Sequence, residues 1–254
     1  MRDLYISDEW TRRFADLVDN HFKFEDDENL LYLNAGTGAH AFQLRERLEK
    51  KMNIFATCED EDMLTIARDK AAALKSNVEF GTNTFDTDSF DAVIGDASFV
   101  PPQALEDFFD EAVRVAEPGA NVGVMAVTAG SFGEIFSLLW EVLFSEELGD
   151  HGQEAERMIS ELPTVSDLEA MARRSGLVNL ETHTANEVFE YDDGEALVNS
   201  PLLQDFLLPV WLQTLDEEEK VRVTERLVQL VDAEDGSLSF RFSVKATLAT
   251  GEKG

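Results

Sequence analysis

The 254-residue chain sets 52 acidic side chains against 21 basic ones, a formal net charge of −31, which repels nucleic-acid phosphates and anionic membrane surfaces and excludes partners held by charge of either kind. A 44% hydrophobic content with 18 Phe specifies a packed core rather than a disordered polymer. No run nears the ~20 apolar residues of a membrane span, and the single Cys58 leaves neither an internal disulfide nor a multi-cysteine zinc site.

The opening residues, MRDLYISDEWTRRF, are charged and lack the apolar core of a signal peptide, so a cytoplasmic location is expected. Residues 1–28 read as a helical preface: Trp10, Phe14, Leu17 and Phe22 recur about one turn apart, and Asp8 is placed to cap the start. The acids at 25–28 read as a solvated break. Leu30, Leu31, Tyr32 and Leu33 then form the short apolar run of a buried parallel strand. It breaks into Asn34-Ala35-Gly36-Thr37-Gly38, and a helix is expected over about 39–51. A strand, a glycine turn and a helix start together present backbone N–H groups to a ligand. Gly36 and Gly38 permit positive φ and close approach, and Asn34 is the best-tolerated alternative. By itself this turn is as consistent with a plain tight turn as with a nucleotide-type site.

Residues 52–58 read as a second strand. The acids Glu59, Asp60, Glu61 and Asp62 follow it, and Met63, Leu64, Ile66 and Ala67 open the next helix. An acid just past the second strand can bind a ribose hydroxyl, with Glu59 the candidate. The same acids also suit a helix N-terminus through its dipole, and both readings stay open. Residues 77–80 give a short third strand, followed by Thr82 and Asn83. Residues 89–96 give a fourth strand, ending in Gly95 and Asp96. Beyond Pro101 and Pro102, a helix over about 104–116 buries Phe108, Phe109, Ala112 and Val115; residues 117–120 turn, and 121–127 form a fifth strand. Strands alternating with helices of this length imply βαβ units and a mostly parallel sheet.

The second half is more helical. Residues 132–144 and 151–161 read as an apolar and an exposed helix, and residues 166–169 as a capping-box-like start to a helix ending before Gly176. Residues 177–183 read as strand six and 201–232 as helical, apolar to Leu212 and charged after Asp216. Residues 237–249 close the chain as an alternating strand. The segment 202–212, with Phe206 and Trp211, suits core packing first, and an apolar pocket or a homodimer contact second. His21, His151 and His183 are scattered and support no metal site. His40 reads as a helix-start residue rather than a base.

In this order the pieces resemble the class I S-adenosylmethionine-dependent methyltransferases over about residues 30–251. The first family motif corresponds to Leu31-Tyr32-Leu33-Asn34-Ala35-Gly36-Thr37-Gly38. The fourth strand corresponds to residues 89–94, the helix and turn before strand five to residues 109–120, and the helix before strand six to residues 164–176. The resemblance implies a Rossmann-like α/β fold: a seven-stranded, mostly parallel sheet with the last strand antiparallel and helices on both faces. It implies a single domain, 1–254, with a helical cap at 1–28, a cofactor half at 29–130, and helical insertions plus strands six and seven at 131–254. It further implies S-adenosyl-L-methionine as cofactor, bound by Asn34, Ala35, Gly36, Thr37, Gly38, Glu59, Asp60, Met63, Asn83 and Asp96, and methyl transfer to a small-molecule acceptor under lids that include Tyr5 and Trp10. Asp96 is the candidate catalytic residue.

The chain departs from the family pattern at three cofactor positions. Tyr32 stands where an acid is usual, Asn34 where the first glycine is usual, and Cys58 where the ribose-binding acid falls. These departures motivate an alternative, a non-catalytic methyltransferase-like protein that binds a protein partner. A nicotinamide-dependent oxidoreductase fits less well: Gly36-x-Gly38-x-x-Ala41 meets the relaxed fingerprint, but no Tyr-x-x-x-Lys pair accompanies it.

Overall fold

A computed structural model describes residues 10–24, 28–48, 52–58, 60–82, 84–233 and 239–254. Tyr5, Asp8, the acids at 25–27, Glu59 and Asn83 therefore lie outside the described residues.

The cofactor half alternates strand and helix as the apolar runs predict. Its elements are α1 (Arg12–His21), β1 (Asn29–Leu33), α2 (Ala39–Arg47), β2 (Asn53–Thr57), α3 (Glu61–Leu74), β3 (Glu79–Gly81) and β4 (Phe90–Asp96), then α4 (Leu105–Val115) and β5 (Ala116–Val127). The second half adds α5 (Gly133–Ser145), α6 (Gly149–Ser160), α7 (Val165–Arg174), β6 (Leu177–Tyr191), α8 (Gly194–Val198), a π-helical turn (Leu202–Leu207), α9 (Leu208–Trp211), α10 (Glu217–Ala233) and β7 (Phe240–Lys253).

One seven-stranded sheet has the order β3-β2-β1-β4-β5-β7-β6. β1 to β5 pair in parallel, and β7 lies antiparallel to both β5 and β6. Alternation along the strands divides the core in two, because successive side chains leave opposite faces. Leu30 and Tyr32 of β1, with Ala92 and Ile94 of β4, join a cluster with α1, α5 and the π-helical turn. Leu31, Leu33 and Val93 join Phe109 and Ala112 of α4 and Leu168 of α7 on the other face. The start of β1 is fixed by a neighbour: the Asp91 carboxylate of β4 accepts hydrogen bonds from the backbone N–H groups of Glu28 and Asn29 at 2.8 and 2.9 Å.

Three sequence readings are corrected. Strand six does not stop at His183 but continues to Tyr191, because β7 offers it a full antiparallel ladder, with Tyr191 opposite Phe240. The 201–232 helix is interrupted: a π-helical turn and the short α9, with Pro209 inside it, end before Asp216, and α10 starts anew at Glu217. A reciprocal capping box makes that restart, with Asp216 N–H donating to Glu219 and Glu219 N–H donating to Asp216, both at 2.9 Å. Residues 117–120, read as a plain turn, lie within β5 as an irregularity. Gly119 there has φ +84°, and the β4–β5 pairing shifts between Phe90 and Ala92. Among the described residues, no helix is long and apolar enough to cross a membrane.

Candidate functional site

β1 and β4 are parallel neighbours with Leu33 opposite Gly95, so the turn after β1 and the loop after β4 open at the same edge of the sheet. Crevices beyond the carboxyl ends of parallel strands are where open α/β sheets bind ligands.

The β1–α2 turn folds as its composition demands. Asn34, Gly36 and Gly38 all have positive φ, at 54°, 57° and 84°. The turn is stitched to the end of β2: Asn34 N–H donates to Thr57 Oγ1 at 3.1 Å, and Ala35 N–H to the Thr57 carbonyl at 2.7 Å. The two glycines do different work. A Cβ on Gly38 would stand 2.5 Å from Cζ of Phe80, so Gly38 lets that ring close on the start of α2. A Cβ on Gly36 would meet nothing within 4 Å, so Gly36 faces open space. A glycine turn with open space before it leaves the main chain approachable by a ligand.

The side chains around the turn are largely engaged by the protein itself. Asp60 caps α3, its carboxylate accepting from Met63 N–H at 2.7 Å. The helix-terminus reading of that acidic run is therefore the one Asp60 serves. Thr37 Oγ1 accepts from Lys70 Nζ at 3.1 Å. Met63 is half-buried against the core, and Cys58 is buried.

Tyr32 enters a chain of contacts. Its hydroxyl lies 3.0 Å from His40 Nδ1, and His40 Nε2 lies 3.1 Å from Asp19 of α1. Asp19 also pairs with Arg47 at 2.6 Å. Tyr32 and His40 are 2% and 1% exposed, so this chain ties α1 to the turn from inside the core. Partial burial works to raise the Asp19 carboxyl, but the bonds and charges of His40 and Arg47 outweigh it and hold the carboxyl below its ordinary value. His40 is thus more than the helix-start residue the sequence suggests. Asp19, 21 positions away from it, has no local signal that would flag it.

At the end of β4, Asp96 accepts from Ser98 N–H at 2.9 Å. Desolvation raises its carboxyl above the ordinary value, opposed by its Ser98 contacts and the nearby His40. The loop beyond it forms one wall of a cavity of about 330 Å³ over the ends of β4 and β5. Phe99, Val127, Phe132, Phe206 and Trp211 supply much of the lining, and Arg157 and Glu161 of the α6 region border it. Segment 202–212 therefore serves both core and pocket: Leu202, Leu203 and Leu208 are core, while Phe206, Leu207 and Trp211 also line the cavity. Trp10 lies against Phe99, ring centroids 4.8 Å apart, and Phe99 against Phe206 at 5.0 Å. The N-terminal helix thereby backs the cavity wall. Among the described residues, no group of three His, Cys, Asp or Glu side chains is placed to hold a metal ion.

The strand order and the glycine turn give the chain a Rossmann-like fold of the kind found in class I S-adenosylmethionine-dependent methyltransferases. Residues 31–119 match the family model described as a methyltransferase domain. No curated protein matches the sequence significantly. Among solved structures, the chain is similar to YcgJ from Bacillus subtilis, at 14% identity over 95% of this chain and 98% of that one, with a TM-score of 0.61. It is also similar to Haemonchus contortus phosphoethanolamine N-methyltransferase 2, solved with phosphomonomethylethanolamine and S-adenosylhomocysteine. There the identity is 16% over 97% of this chain and 54% of that one, TM-score 0.53. Geranyl diphosphate C-methyltransferase from Streptomyces coelicolor, solved with a geranyl thiolodiphosphate and S-adenosylhomocysteine, gives 13% identity over 94% and 75%, TM-score 0.51. At these identities the likeness establishes the fold.

Proposed function

We propose that this protein is an S-adenosylmethionine-dependent methyltransferase acting on a small-molecule acceptor. The observation that carries the reading is the positive-φ turn of Asn34, Gly36 and Gly38, at the same sheet edge as the cavity beyond β4 and β5. The methyltransferase-domain match over residues 31–119 supports it, as do two fold neighbours solved with small acceptors and the demethylated cofactor.

Bound S-adenosylmethionine supplies an electrophilic methyl group for in-line transfer. The main chain of 34–38 would hold it, with Gly36 giving room for close approach and Phe80 backing the turn at Gly38. Glu59 and Asn83 remain candidate contacts by sequence position, whereas the Asp60 carboxylate is turned to α3. The apolar cavity walls exclude water and hold an acceptor in line, which is the main work a protein does for such a displacement. Asp96 is the candidate to take the acceptor's proton, since a desolvated carboxyl with a raised pKa is a better base than one in water.

The test is to incubate the purified chain with methyl-labelled S-adenosylmethionine and a fraction of cell metabolites below about 1 kDa. The reading expects label in a small molecule together with stoichiometric S-adenosylhomocysteine. Absence of cofactor binding by a folded chain would instead favour a methyltransferase-like protein that binds a partner.

A further inference from the structure

From the cavity beyond β4 and β5 we infer the class of acceptor: an uncharged, largely aromatic or hydrocarbon molecule carrying one hydroxyl-type polar group, and not a phosphorylated one. The inference rests on reading this edge of the sheet as a methyl-transfer site.

Three observations carry it. First, the walls are apolar and flat-sided. Phe99 and Phe206 stand with centroids 5.0 Å apart on one side, and Phe132 packs edge-on to Trp211 at 5.6 Å on the other. Aromatic faces of this kind favour ring-bearing or hydrocarbon ligands. A cavity of about 330 Å³ accommodates a bicyclic molecule.

Second, the uncharged polar side chains of the lining are Ser98 and the exposed Gln103 and Gln213. Ser98 lines the cavity beside Asp96, and its hydroxyl and N–H contacts lower that carboxyl's pKa. Its position beside Asp96 turns the acceptor's polar atom toward the carboxyl proposed to take its proton.

Third, nothing in the lining is arranged for an anion. Arg157 is the cationic side chain of the wall, and it is paired with Glu161 at 3.5 Å. The chain's net charge of −31 opposes the approach of a phosphate.

The experiment is isothermal titration of the intact chain with 1-naphthol, with 1-naphthyl phosphate and, separately, with S-adenosylhomocysteine. It is repeated for Phe206→Asp and Ser98→Ala. 1-Naphthol should bind at least tenfold tighter than its phosphate. Phe206→Asp, at a half-buried position, should weaken 1-naphthol at least tenfold while S-adenosylhomocysteine affinity stays within twofold, which also establishes that the variant is folded. Ser98→Ala should weaken 1-naphthol about fivefold. Equal or tighter binding of the phosphate overturns the inference. So does 1-naphthol affinity that is indifferent to Phe206→Asp, or absent in a chain that binds S-adenosylhomocysteine. Selective 1-naphthol binding by a chain that ignores S-adenosylhomocysteine would sustain the cavity's preference and sink the methyltransferase reading instead.

Discussion

The two ends of the site are built by opposite means. At the β1–β2 end, polar side chains are plentiful but engaged: Asp60 caps α3, Thr37 accepts from Lys70, and Tyr32, His40, Asp19 and Arg47 form one chain. Among the described residues, the turn there presents main chain, shaped by three positive-φ residues. At the β4–β5 end the lining is side chain, largely apolar, with Phe99, Phe132, Phe206 and Trp211 among it and Ser98 next to Asp96. The difference teaches that, on the proposed reading, Tyr32 and Cys58 are compatible with a cofactor seat whose shape lies in the turn. On the same reading, acceptor selectivity depends on side-chain volume and polarity.

The largest expected effect is at the turn. Gly38→Val would place a branched side chain at φ +84° with its Cβ 2.5 Å from Phe80. Strain and overpacking together should cost about 3 kcal/mol in urea denaturation. A variant as stable as wild type would mean that the ring does not close on the turn.

His40→Ala comes next. It strips Asp19 and the Tyr32 hydroxyl of a shared partner inside the core and should cost about 2 kcal/mol, while leaving 1-naphthol affinity unchanged. Loss of naphthol binding in this variant would dissolve the distinction between the two ends.

Asp96→Asn probes the other end through pH. The folded pKa of Asp96 is raised above its ordinary value of 3.8, so the folded state holds that proton more tightly than the unfolded chain does. Stability tied to this group is therefore greatest at low pH and falls as pH rises from about 3.8 through the folded value. At pH 7 the Asn variant should melt about 2–4 °C higher, equivalent to about 1 kcal/mol in a chain of this size. The advantage should vanish in acid, and methyl transfer should fall. Asp19 titrates in the opposite sense: its carboxyl is held below 3.8, so its contribution is present above that value and lost as pH falls through the folded pKa. A flat pH dependence of the difference between wild type and Asp96→Asn would contradict the burial of that carboxyl.

The smallest effect serves as a control. Thr164 caps α7, accepting from Asp167 N–H, and Thr164→Ala should cost about 1 kcal/mol in thermal or urea unfolding. Binding at both ends should be untouched.

Much of the sheet was legible in the sequence because parallel strands are continuous apolar runs and their helices carry clear stripes, as in β1, β4 and α4. The end of β6 was not, since the residues after His183 alternate with many polar side chains and resemble a loop until β7 is laid beside them. The break before α10 did carry a signal, the Asp216–Glu219 capping box, which the dense apolar run ahead of it obscured. Of the site, the glycine turn was visible because its conformation demands particular residues. The Asp19–His40 contact and the Ser98 wall were not, because each depends on elements brought together only by the fold.

The account rests on the positive-φ turn around Gly36, and the most direct measurement is calorimetric titration of S-adenosylhomocysteine into wild type and Gly36→Val. Wild type should bind one molecule per chain with micromolar affinity. Gly36→Val, whose Cβ meets nothing in the protein but whose φ of +57° costs a branched residue about 1–3 kcal/mol, should be less stable yet folded and lose at least tenfold in affinity. No binding by folded wild type, or equal binding by both chains, would contradict the assignment of this turn as the cofactor seat.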